Sequence, residues 1–128
     1  MNDNEVVNEI KPYLPLKIQD IQWDGTTLNM YDFNWNFSTM SAWRLKKNNQ
    51  LICGCYDKDS QELIKKLKGL QIIDFIFTDN TLIDPVFIFL NDLRLEIFST
   101  DTYEPWVLYI DKLGSFTASF GEGLSQTF

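Results

Sequence analysis

The chain has 128 residues, 45% of them hydrophobic and nineteen of them Phe, Trp or Tyr, which excludes a disordered polymer and suffices for the core of one domain. Its 18 acidic side chains outweigh 11 basic ones, and the net charge of −7 argues against nucleic acid or anionic membrane as partners and for a basic protein. Histidine is absent, which removes the commonest general base and the commonest metal ligand together.

In chain order, the opening Met1-Asn2-Asp3-Asn4-Glu5 is acidic and polar, with no basic region leading into an apolar stretch. Cytoplasmic residence is therefore expected, with no secretory signal. Val6, Val7 and Ile10 share one side of a short helix that Lys11-Pro12 stops. A strand begins near Leu16, and Asp24-Gly25 predicts a tight hairpin, since both central residues of the favoured turn need positive φ. The alternating Phe33, Trp35 and Phe37 predict a strand over 32–37, and strands over 42–46 and 50–56 are expected to pair across Lys47-Asn48-Asn49. Cys53 and Cys55 fall on one face of the latter as buried, reduced thiols rather than a disulfide or a metal site.

A helix is expected over 60–68. Asp59 and Glu62 have capping-box spacing, Lys65, Lys66 and Lys68 complement its C-terminal end, and Gly69 closes it. Strands then follow over 70–77, 86–90, 93–98 (across an Asn91-Asp92 turn), 105–110 and 115–120, and residues 121–128 read as a flexible tail. The apolar run over 85–90 is too short to cross a bilayer.

Part of this order repeats. Ile18, Asp20, Thr27 and Leu28 recur 54 positions later as Ile72, Asp74, Thr81 and Leu82, and each copy later reaches a tryptophan, Trp43 or Trp106. The expected fold is α+β: mostly antiparallel strands in two related halves, an internal duplication over about 16–56 and 70–111, with one short helix, in a single domain spanning 1–128. Both tryptophans are expected to be buried.

No catalytic, cofactor or metal site emerges. Serine and cysteine lack the usual basic partner, the two cysteines lack further zinc ligands, and no phosphate-cradling glycine loop is present. Asp20 and Asp74, equivalent in the repeat, could face each other as an acid/base pair, or each could accept backbone donors at a strand edge. Residues 1–68 carry nine acids and nine bases, whereas 69–128 carry nine acids against only Arg94 and Lys112, so the net −7 lies in the second half. Within it, Asp101-Thr102-Tyr103-Glu104-Pro105-Trp106 joins acids to Tyr and Trp in a loop between strands. Partner binding is accordingly expected through Glu96, Asp101, Tyr103 and Glu104.

Trp43-Arg44, then Asp57-x-Asp59, Leu67-x-Gly69-Leu70-x-Ile72, Leu93-Arg94-Leu95-Glu96-Ile97-Phe98 and Tyr103-Glu104-x-Trp106 form an order over about residues 16–110. It resembles that of small acidic bacterial immunity proteins of polymorphic or contact-dependent toxin systems. The resemblance implies stoichiometric binding and blocking of a cognate toxin, often a nuclease, in the cytoplasm. It carries over no binding site. A non-toxin interaction or regulatory module is the alternative, and a carboxylate-dependent enzyme using Asp20 and Asp74 a third.

Overall fold

A computed structural model describes residues 3–78, 83–100, 104–119 and 123–127. Among them are two α-helices, α1 (Asp3–Ile10) and α2 (Ser60–Ile64). Thirteen strands follow one another as β1 (Leu16–Lys17), β2 (Asp20–Trp23), β3 (Leu28–Asp32), β4 (Trp35–Thr39), β5 (Ala42–Lys47), β6 (Gln50–Gly54), β7 (Gln71–Ile72), β8 (Asp74–Phe77), β9 (Pro85–Ile88), β10 (Leu93–Phe98), β11 (Trp106–Ile110), β12 (Gly114–Ser119) and β13 (Gly123–Thr127). The fold is α+β and mostly antiparallel strand.

Two sheets dominate, ordered β6-β5-β10-β9-β8 and β13-β12-β11-β4-β3-β2, with a short β1-β7 pair between their edge strands. The meander β2-β3-β4 is extended by β11 and β12, and the meander β8-β9-β10 by β5 and β6. Each sheet thus draws strands from both halves of the chain. The registers correspond as well. Asp20 faces Tyr31 as Asp74 faces Ile88, Tyr31 faces Asn36 as Ile88 faces Arg94, and Trp106 faces Thr39 as Trp43 faces Ile97. In the β1-β7 pair, Lys17 lies opposite Gln71, its counterpart in the sequence echo.

Alternation supplies the core. Trp35 and Phe37 of β4, Trp43 and Leu45 of β5, Phe75 and Phe77 of β8, and Trp106 and Leu108 of β11 all turn inward and are buried. Each fully buried aromatic contributes on the order of 2–3 kcal/mol. Contacts across the sheets close the core: Trp23 meets Trp43 edge-on at 5.4 Å, and Phe37 meets Phe87 at 4.7 Å, the latter also joining the two halves. Trp43 and Trp106 are both 1% exposed, as their apolar strands predict.

The structure corrects several local expectations. Phe33 does not continue a strand: the Asp32 carboxylate accepts its N–H at 2.8 Å, the chain reverses there, and the ring is 92% exposed. At the β2-β3 turn only Gly25 has positive φ; Asp24 instead accepts the N–H groups of Thr26 and Thr27 through its side chain. The primed-turn geometry appears at Asn48-Asn49 and Asn91-Asp92, where all four φ are positive. Helix α2 is shorter than its sequence pattern, passing into a 3₁₀ turn over Lys65–Leu67, and Asp59 makes no side-chain cap, although Gly69 closes the segment at φ +86.

The expected tail is partly an edge strand. β13 pairs along β12, and the Gln126 amide donates to the Leu113 carbonyl at 2.8 Å. The open edge of β12 provides ladder partners that a Gly- and Ser-rich end does not advertise. The second turn of the sequence echo, over 79–82, lies outside the described residues.

Candidate functional site

At one end of the sandwich the chain changes sheets twice. Met40-Ser41 carries it from β4 to β5, and residues 99–105 carry it from β10 to β11. Buried hydroxyls tie the two crossings together. Thr39 Oγ1 and Ser41 Oγ both donate to the Pro105 carbonyl, at 2.5 and 2.8 Å, and Ser41 Oγ accepts the Thr100 N–H at 3.1 Å. On the other side, Ser99 Oγ and Trp106 Nε1 donate to the Ile83 carbonyl, at 2.5 and 2.7 Å, and Asp84 Oδ1 accepts the Ser99 N–H. Residues 99–106 are therefore mounted on the core at both ends.

Of the sequence-predicted site residues, Asp101 and Tyr103 lie outside the described residues. Glu104 is exposed, next to the buried Pro105. Glu96 is in a different setting. It faces Arg44 across the β10-β5 ladder, with Arg44 Nε at 2.5 Å and Lys46 Nζ at 3.8 Å, and its side chain is only 13% exposed. The Arg44 guanidinium also covers the Phe98 ring at 4.9 Å. Glu96 is thus locally neutralised on the outer face of the five-stranded sheet, and among the described residues of this stretch the exposed acid is Glu104.

Asp20 and Asp74 lie on the edge strands of different sheets. Each accepts the N–H of the following residue, Ile21 at 2.9 Å and Phe75 at 2.8 Å, the backbone role open to a carboxylate at a strand edge. Asp20 does more. The Tyr31 hydroxyl donates to its Oδ2 at 3.3 Å, and Lys68 Nζ lies 3.9 Å from its Oδ1. The Ile21 N–H, helped by Lys68 and Tyr31, holds the Asp20 carboxyl below its ordinary range against the opposing effect of burial. Burial, with the charge of Asp20, raises the Tyr31 phenol.

These groups border a cleft of about 370 Å³ that Gln19, Asp32 and Phe33 complete. A second cleft, of about 440 Å³, adjoins it along the chain: Lys68 lines the first and Gly69 the second, with Leu70, Phe89, Leu90 and Leu93 as its apolar walls. The sequence singled out Asp20 but not its cleft, because Tyr31, Phe33 and Lys68 reach it from a different strand, a turn and a helix end. The available signal is that Asp32 and Asn34, both turn-forming types, flank Phe33.

The cysteines are both buried and free; burial, with the nearby Asp57 charge, raises the Cys53 thiol and keeps it protonated. Among the described residues no group of three or more potential ligands is placed to hold a metal, and no helix is long and apolar enough to cross a membrane. No protein family, no curated protein and no solved structure matches this chain.

Proposed function

We propose that this chain is a non-catalytic inhibitor that binds a basic protein stoichiometrically, as a cytoplasmic immunity protein would bind the effector domain of a bacterial toxin. The observation that carries this reading is the anchored crossing at 99–106, which holds the exposed Glu104 on a buried hydroxyl network in a chain of net charge −7. An acid beside the anchored Pro105 carbonyl loses little freedom on binding, and an acidic chain speeds encounter with a basic surface. The test is co-expression with the product of the adjacent gene, followed by measured association rates. Replacing Asp101 and Glu104 together by Lys is expected to slow association steeply, and added salt to slow the wild type in the same direction. Rates indifferent to both would exclude this loop, and a neighbouring gene whose product is neither toxic nor bound would favour the non-toxin module.

The matched registers around Trp43 and Trp106 also support descent of the two halves from one duplicated unit. Cross-strand NOEs at Thr39–Trp106 and Ile97–Trp43 are its expected signature, and absence of either would break the correspondence.

A further inference from the structure

The two clefts beside residues 68–71 meet corresponding turns of the two sheets, Asp32 and Phe33 lining the first and Phe89 and Leu90 the second, while Asp20 and Tyr31 line the first without Asp74 or Ile88 lining the second. Tyr31, Asp32 and Phe33 correspond in register to Ile88, Phe89 and Leu90, and Asp20 corresponds to Asp74. At one of these places the fold is served by Ile88, Phe89 and Leu90, so packing alone does not call for a phenol, a second carboxylate and an exposed ring at the other. What the first cleft adds is a recognition surface of definite chemistry. Two carboxylates line it, Phe33 stands 92% exposed at its edge, and the Tyr31 hydroxyl orients Asp20 from within.

Lys68 is the cation already present. Its Nζ lies 3.9 Å from Asp20, beyond hydrogen-bond distance, and its side chain is 63% exposed, so it balances charge without filling the cleft.

We propose that this cleft receives an arginine or lysine side chain of the basic partner, with the cation between Asp20 and Asp32 and against the face of Phe33. Arginine fits better than lysine. Its planar guanidinium can meet carboxylates through several N–H groups and lie on an aromatic ring at once, whereas an ammonium acts as a point charge. The neighbouring hollow along β3 and β4, lined by Asn29, Asn36 and Ser38 as well as Tyr31 and Asp32, continues the cleft over an uncharged polar face where the partner's backbone can find hydrogen bonds. The proposal rests on the inhibitory-binding reading for the identity of the partner and adds to the Glu104 crossing a second contact on the six-stranded sheet.

The cleft can be tested without that partner, by an amide-resolved NMR titration of the full chain with N-acetyl-arginine amide, using N-acetyl-glutamate amide as control. Saturable shifts are expected at Ile21, Tyr31 and Phe33 with the arginine probe only. Phe33→Ala is expected to weaken the interaction roughly two- to fivefold, and Asp32→Asn by about twofold or more. Phe33 is exposed in the turn and Asp32 is half-buried at the end of β3 with its carboxylate on the Phe33 N–H, so Asp32→Asn, which keeps an acceptor there, and Phe33→Ala both leave the core closed. Shifts that do not saturate, that appear equally around Leu90, or that survive both substitutions unchanged overturn the proposal. A chain that binds the probe but no toxin keeps the cleft and loses the inhibitory reading; one that binds a toxin with undiminished affinity after both substitutions does the reverse.

Discussion

Trp43 and Trp106 hold equivalent places in the ladders yet differ in one atom's fate. Trp106 donates its indole N–H to Ile83 at 2.7 Å, while the Trp43 indole N–H is buried without a partner among the described residues. Trp106→Phe gives up ring area and a hydrogen bond; Trp43→Phe gives up ring area and removes an unsatisfied donor. Urea denaturation is expected to find Trp106→Phe the costlier by about 1 kcal/mol, and equal costs would contradict this account. Asp24 offers a second test. Its carboxyl is held below the ordinary range by the N–H groups of Thr27 and Thr26. A depressed folded-state pKa stabilises fully well above the ordinary value of 3.8, and that stabilisation is lost as pH falls through the folded-state value. Asp24→Asn keeps an acceptor for the turn but no titration, so it is expected to flatten the acid limb of stability below about pH 4. An acid limb as steep as that of the wild type would refute the assignment.

Elements were legible in proportion to how much of their signal is local. The hairpins at Asn48-Asn49 and Asn91-Asp92, the stop of α1 before Lys11-Pro12, and the closing Gly69 each depend on one or two residues with restricted or unusual φ, and those were readable. Phe33 was misread because alternation continues across a turn whose stop signal, the Asp32 side chain on the Phe33 N–H, is invisible to periodicity. β13 was missed because its partner, the edge of β12, is a tertiary feature. The crossover near residue 41 lies between these cases. Ser41 Oγ contacts both Pro105 and Thr100 from 64 and 59 positions away. Ser41→Ala is expected to cost roughly 1–2 kcal/mol, with the midpoint in urea lowered and its slope unchanged. A cost under half of that would show that the mount does not depend on this hydroxyl.

At the scale of the molecule, neither half of the chain owns a sheet. β4 is completed by β11 and β10 by β5, so a fragment ending at Lys68 lacks the strands that cover its aromatic faces, and so does its complement from Gly69. Each fragment alone is expected to lack near-UV aromatic dichroism, and an equimolar mixture is expected to recover it. Cooperative unfolding of either fragment as a monomer would rule out this interdependence. The same exchange governs the electrostatics. The acidic excess lies after residue 68 in sequence, but β10 threads between β5 and β9, and Glu96 meets Arg44 and Lys46 there. The charge imbalance between the halves of the chain is therefore partly offset where β10 meets β5.

The sequence by itself determined the class of fold, most strand positions and the burial of Trp43 and Trp106, because alternation, turn chemistry and large apolar area act through neighbours in the chain. Only the tertiary structure decided which strands share a sheet, that Glu96 is paired while Glu104 is exposed, and that Asp20, Tyr31, Phe33 and Lys68 border one cleft. Those outcomes depend on register between segments far apart in sequence, and a one-residue slip in any ladder would turn a different set of side chains outward.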